Sequence, residues 1–242
     1  MKKNLLMLAV LLLALGQVNA QEQTKKLGFG FKAGLNISAF TNKQDMLMAL
    51  SGVSYDSFEN YFRISAMAGI TATYKLNPKF ALNAELLYNS RGTAYRRPNN
   101  SVLLIGDKGV EQAYDYYKFM IDYVELPLMV SYYVIPSSKP TALSVYLGLA
   151  PGIAVRKAAK MDYPEVTAGP GNGKADVNGE LGFVNSFNAS GLFGLKVGHK
   201  LENGTAFFID LRGSYGMLPV FKKEVNIDTR MLTGTFALGL DF

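Results

Sequence analysis

The sequence predicts an all-β fold: an eight-stranded antiparallel transmembrane up-and-down β-barrel, with short periplasmic turns and long extracellular loops. Three observations predict it. The last eleven residues alternate in character: Leu232, Phe236, Leu238, Leu240 and Phe242 oppose Thr233, Thr235, Ala237, Gly239 and Asp241, and only Gly234 breaks the apolar series. A period of two marks a strand with one apolar face and one small or polar face. Eight such stretches run along the chain, and the connections between them alternate strictly between long and short.

Residues 1–20 read as a cleaved signal peptide. Lys2 and Lys3 form a positive start, Leu5 to Leu15 an apolar core, and Val18-Asn19-Ala20 a small-residue cleavage site. This predicts export through the Sec pathway, and the apolar run is too short for a membrane helix. Residues 21–242 then form one barrel domain. Cysteine is absent, which argues against a lipoprotein anchor, a disulfide framework or a cysteine-based zinc site. Without Lys2 and Lys3 the formal net charge falls from +6 to +4. The basic residues are scattered along the sequence, so nucleic acid is not an expected partner.

The strands are expected at 27–40, 61–76, 79–95, 116–134, 142–156, 186–201, 205–216 and 230–242. Asn77-Pro78, Pro136 to Pro140 and Glu202-Asn203-Gly204 have tight-turn compositions. The other connections, 41–60, 96–115, 157–185 and 217–229, are long. Short turns at one rim and long loops at the other describe an outer-membrane barrel with both termini at the periplasmic rim.

Each strand separates its residues by face. In the first, Leu27, Phe29, Phe31, Ala33, Leu35 and Ile37 oppose Gly28, Gly30, Lys32, Gly34, Asn36 and Ser38. The second sets Phe62, Ile64, Ala66, Ala68 and Ile70 against Arg63, Ser65, Met67, Gly69 and Thr71. In the third, Phe80, Leu82, Leu86 and Tyr88 oppose Asn83, Glu85, Asn89 and Arg91. An apolar series nearly free of charge over a bilayer's thickness suits lipid, whereas a soluble barrel would turn it inward. Tyr74, Phe80 and Phe242 would form a periplasmic aromatic girdle, and Phe62, Tyr88 and Tyr215 an extracellular one.

The opposite series carries Lys32, Arg63, Lys75, Glu85, Arg91, Glu125, Arg156, Lys196, Asp210 and Arg212. Eight strands enclose a space that side chains largely fill, so buried charges must pair there. The expected lumenal network sets Glu85, Glu125 and Asp210 against Arg63, Arg91 and Arg212. Pro127 removes a ladder hydrogen bond and predicts a bulge or bend in the fourth strand.

Several blocks resemble one known family. They are Phe31-Lys32-Ala33-Gly34-Leu35-Asn36, Glu85-Leu86-Leu87-Tyr88 with Arg91-Gly92, Tyr123-Val124-Glu125-Leu126-Pro127-Leu128, Gly148 to Gly152, and the terminal Leu238-Gly239-Leu240-Asp241-Phe242. Together they resemble the PorT-like outer-membrane β-barrel family of Gram-negative bacteria. The resemblance implies insertion by the outer-membrane assembly machinery, which reads the last strand, with Phe242 as the assembly signal. For PorT itself it also implies a part in type IX protein secretion.

Signs of chemistry are weak. After the signal peptide the only histidine is His199, at a short-turn rim, whereas a general base acting on outer-leaflet lipid belongs at the other rim. Gly169 to Lys174 fails as a phosphate loop, since Ala168 and Ala175 stand where the motif needs Gly and Ser or Thr. Asp162, Glu165, Asp176 and Glu180 match no calcium motif. No enzyme, cofactor or metal is expected. Contact residues are sought instead in the long loops: Met46 and Met48 in an apolar stretch, and Arg96, Arg97 and Tyr114 in a basic, tyrosine-rich one. Such a rim suits lipopolysaccharide or a protein partner. The expected function is a binding, scaffold or secretion-accessory barrel that is not a wide pore. The alternatives are a lipid A-modifying enzyme, a small-solute channel and a soluble secreted barrel.

Overall fold

The computed structural model describes residues 26–42, 58–61, 63–106, 109–165 and 173–242. Met46, Met48, Phe62, the signal peptide and most of the Gly169 stretch lie outside them. The strands are β1 (Leu27–Phe40), β2 (Glu59–Tyr61), β3 (Arg63–Lys75), β4 (Phe80–Gly106), β5 (Gly109–Glu125), β6 (Leu128–Ile135), β7 (Thr141–Glu165), β8 (Gly173–Glu180), β9 (Phe187–Lys200), β10 (Ala206–Gly216) and β11 (Met231–Asp241).

These eleven segments make eight staves. β1 pairs with β3 and β11, β3 with β4, β4 with β5 and β6, both of those with β7, β7 with β9, β9 with β10, and β10 with β11, all antiparallel. The pairing returns to its start, so the ring closes on hydrogen bonds. β2 continues the β3 stave against β4, and β8 pairs with β7 beside the long-loop rim.

Exposure shows which face is which. Phe31 is 50 % exposed while its neighbour Lys32 is 2 % exposed, and the same inversion follows each stave. Large apolar side chains cover the outside and polar ones are buried inside, the reverse of a soluble barrel. Phe80 and Tyr132 rings sit 5.3 Å apart near the short turns, and Phe31 and Phe242 rings 5.9 Å apart. Tyr88 and Tyr215 are exposed toward the other rim.

Two expectations about strands 3 to 5 change. The stretches 96–115 and 157–185 are largely strand rather than loop: β4 runs 27 residues and β7 runs 25. At ~3.3 Å per residue such strands exceed the ~25 Å apolar band more than twice over. Beyond the band lipid no longer demands apolar residues on one face, so the alternation that marks a membrane strand is not imposed there. Pro127 interrupts the stave between β5 and β6 without a bulge. Leu87 faces Glu125 and Ala84 faces Leu128, one unbroken register across the gap. The bulge lies at Asp122/Tyr123, opposite Ala154 and Arg156, where Val155 is the extra residue.

Candidate functional site

The lumen is filled in layers. Midway, Lys32 of β1 donates to Glu85 of β4 at 2.8 Å and to Asp210 of β10 at 2.7 Å. Arg212 pairs with Glu85 at 2.9 Å and with Asp210 at 3.2 Å. The Tyr146 hydroxyl of β7 donates to Asp210 and accepts from Arg212 Nε at 3.0 Å. Two cations and two carboxylates therefore balance away from water, where a lone charge would be costly. Lys32 and Tyr146 complete a set that the sequence narrowed to arginines and carboxylates.

Above this layer Arg91 pairs with Glu125 at 2.9 Å and donates to Ser190 at 3.2 Å. Asn89 donates to Glu125 at 2.7 Å and accepts from Asn36, whose side-chain oxygen accepts from Thr235. Arg63 does not join either group. It donates to the Arg91 carbonyl at 2.6 Å and to Ser90 Oγ at 3.0 Å, where the β3–β4 pairing has ended below it. Arg156 also leaves the expected lumenal set. The Val155 bulge turns it outward, its side chain is 57 % exposed, and it lies 3.7 Å from Asp122.

Nearest the long loops the filling becomes apolar. Phe40, Tyr95, Phe119, Ile121 and Tyr123 pack from the wall against Leu181, Val184, Val220, Phe221 and Ile227 from two connections. Val184 and Phe221 form a bridge, and Asn185 donates to the carbonyls of Pro219 and Phe221. Sequence reasoning missed this plug because its loop residues show no periodicity. Below the ion network, a cavity of about 20 Å³ lies among Thr71, Ser131, Phe208 and Lys196. That is room for roughly one water.

Outside the membrane band, β4 and β5 carry the predicted contact residues on two different faces. Arg96 stacks over the Tyr114 ring at 4.5 Å and pairs with Glu59 at 2.7 Å. That hydrogen bond raises the Arg96 pKa above its ordinary value. Arg97 turns the other way, to Asp115 at 2.9 Å and toward the Phe58 ring. His199 meets Thr141 at 2.8 Å on the exposed short-turn rim. Asp162 faces Asp176 in register, and its carboxylate is engaged by Lys118 at 2.7 Å and Lys160 at 3.1 Å. Among the described residues no group of three potential metal ligands occurs.

No curated protein matches the chain. Among solved structures, Ail of Yersinia pestis, in complex with the heparin analogue sucrose octasulfate, is 12 % identical over 89 % of this chain and 99 % of its own, with a TM-score of 0.37. OprG of Pseudomonas aeruginosa is 12 % identical over 89 % and 95 %, with a TM-score of 0.41. Neisserial surface protein A is 12 % identical over 91 % and 98 %, also with a TM-score of 0.41. The family described as outer membrane protein beta-barrel domain matches residues 19–222. With its closed antiparallel ring and apolar exterior, the chain belongs to this family of outer-membrane β-barrels.

Proposed function

We propose that this outer-membrane barrel is a non-conducting binding or scaffold protein, and more finely a PorT-like accessory of protein secretion. The occupied lumen carries the reading: among the described residues a balanced ion network crosses it at mid-height, an apolar plug sits above, and the small cavity below has room for about one water. Recognition would then fall to the surfaces at the two rims. On the extracellular side, Arg96 and Tyr114 share a face suited to lipopolysaccharide or a protein partner. The chain would reach the membrane through Sec and the outer-membrane assembly machinery, with Phe242 as the signal. It would need no cofactor and catalyse no reaction.

Crosslinking in native membranes followed by co-purification tests this reading. A defined partner recovered with the barrel is the expected result, and a secretion component among the partners would select the PorT-like branch. Discrete conductance steps in planar bilayers would overturn it in favour of a small-solute channel. A changed lipid A mass spectrum in a deletion strain would overturn it in favour of a lipid A-modifying enzyme.

A further inference from the structure

The charges that lie scattered in sequence are sorted in space. Lys26, Lys75, Lys79, Lys139, Lys196 and Lys200 gather at the short-turn end, against Glu202 and Asp241. That surplus of four equals the whole formal net charge of residues 21–242, so the remaining charges of that sequence cancel. Within this end three lysines point to the barrel axis. The alternation that buries Thr71 and Thr73 turns Lys75 inward, and the one that buries Asn188 and Ser190 turns Lys196 and Lys200 the same way.

Their partners are unequal. Lys196 pairs with Asp241 at 2.7 Å and lies over the Phe208 ring at 3.6 Å. Lys200 donates to the Ser137 carbonyl at 2.7 Å. Lys75 is half-buried and close enough to Lys196, Lys200 and Asp241 to interact electrostatically with each, yet its ammonium has no hydrogen bond or ion pair among the described residues. Among the described residues, one inward side-chain carboxylate, Asp241, therefore serves three inward amines at this mouth. Every charge in the layer above is matched, so the imbalance is local to this mouth.

We propose that the periplasmic mouth is a docking site for an acidic, Asp/Glu-rich segment of a soluble periplasmic partner, with Lys75 at its centre. Charge complementarity selects an anion, and position selects its source. Lys75 and Lys196 line the lumen behind the strand wall, away from membrane lipid, and open on the aqueous compartment. The proposal rests on the scaffold reading and names the class of partner for it.

The test uses the full-length barrel in phosphatidylcholine nanodiscs, probed with a fluorescent polyglutamate peptide. Binding that weakens with added salt is expected, as is a loss of about ten-fold on Lys75→Ala. Lys75→Gln should act alike, with heat-modifiable migration showing that both variants fold. Lys223→Ala at the opposite rim should have no effect. Failure of the peptide to bind would overturn the proposal, and so would equal losses from Lys75→Ala and Lys139→Ala, which indicate diffuse attraction. If phosphatidylglycerol in the discs abolishes peptide binding, lipid headgroups are the occupant and the proposal falls. Crosslinks confined to the extracellular wall would leave the scaffold reading standing and overturn only this one. Conductance would overturn the scaffold reading while leaving the peptide titration intact.

Discussion

The middle of the lumen and its extracellular end fill the same cylinder by opposite means. At mid-height, Lys32, Glu85, Asp210 and Arg212 satisfy one another, all nearly inaccessible to water. Toward the long loops, Phe40, Phe119 and Ile121 of the wall meet Val184, Val220 and Phe221 of the connections. The difference follows from what each layer can reach. Mid-height, only the strands' inward positions are available, and their outward positions must already be apolar for lipid. Near the rim, loops fold back and supply apolar side chains from outside the strand pattern. Charge balance holds the first layer together, and burial of apolar surface the second.

This contrast can be broken from either side. Arg212→Met should have the largest effect, because it leaves Glu85 and Asp210 with one cation between them. A loss of about 3–5 kcal/mol is expected, read as a shifted urea midpoint for the detergent-refolded barrel. Replacing Lys32, Glu85, Asp210 and Arg212 together by apolar residues should recover much of it, and no recovery would mean that packing rather than charge dominates there. Phe221→Ala strikes the plug, at a cost of about 3 kcal/mol for a buried phenylalanine. It should also raise proteolysis at 217–229 while planar-bilayer conductance stays absent, since the ion layer still blocks the lumen. Conductance in that variant would make the plug the sole barrier.

Deleting Phe242 should lower the inserted fraction in cells; a normal outer-membrane level would remove it as the assembly signal. Arg96→Ala should have the smallest effect on stability. Its pair with Glu59 is solvent-exposed, and such pairs contribute about 0.2–1 kcal/mol. A midpoint shift as large as that of Phe221→Ala would show that the extracellular wall is part of the folding core.

Much was legible in the residues, for reasons the structure makes plain. The lipid-facing series of β1, β3 and β4 stood out because a bilayer imposes period two and tolerates almost no charge. Arg91 and Glu125, both members of the expected inward set, meet because inward charges need partners, although the sequence did not say which arginine faces which carboxylate. The upper parts of β4 and β7 were hidden because beyond the membrane lipid no longer imposes an apolar face on every second residue. Arg63 and Arg156 were misplaced because a ladder gap and a one-residue bulge overrule simple parity.

Alone, the sequence determined the stave count, the lipid-facing side and the rim at which each connection lies, because hydrogen-bonding and lipid solvation act on every residue of a strand in turn. Tertiary structure decided which charges meet, where the plug sits and that the net positive charge collects at the periplasmic mouth. Those facts depend on residues far apart in sequence, such as Lys32 with Asp210 and Lys75 with Lys200, and only closure of the ring brings them together.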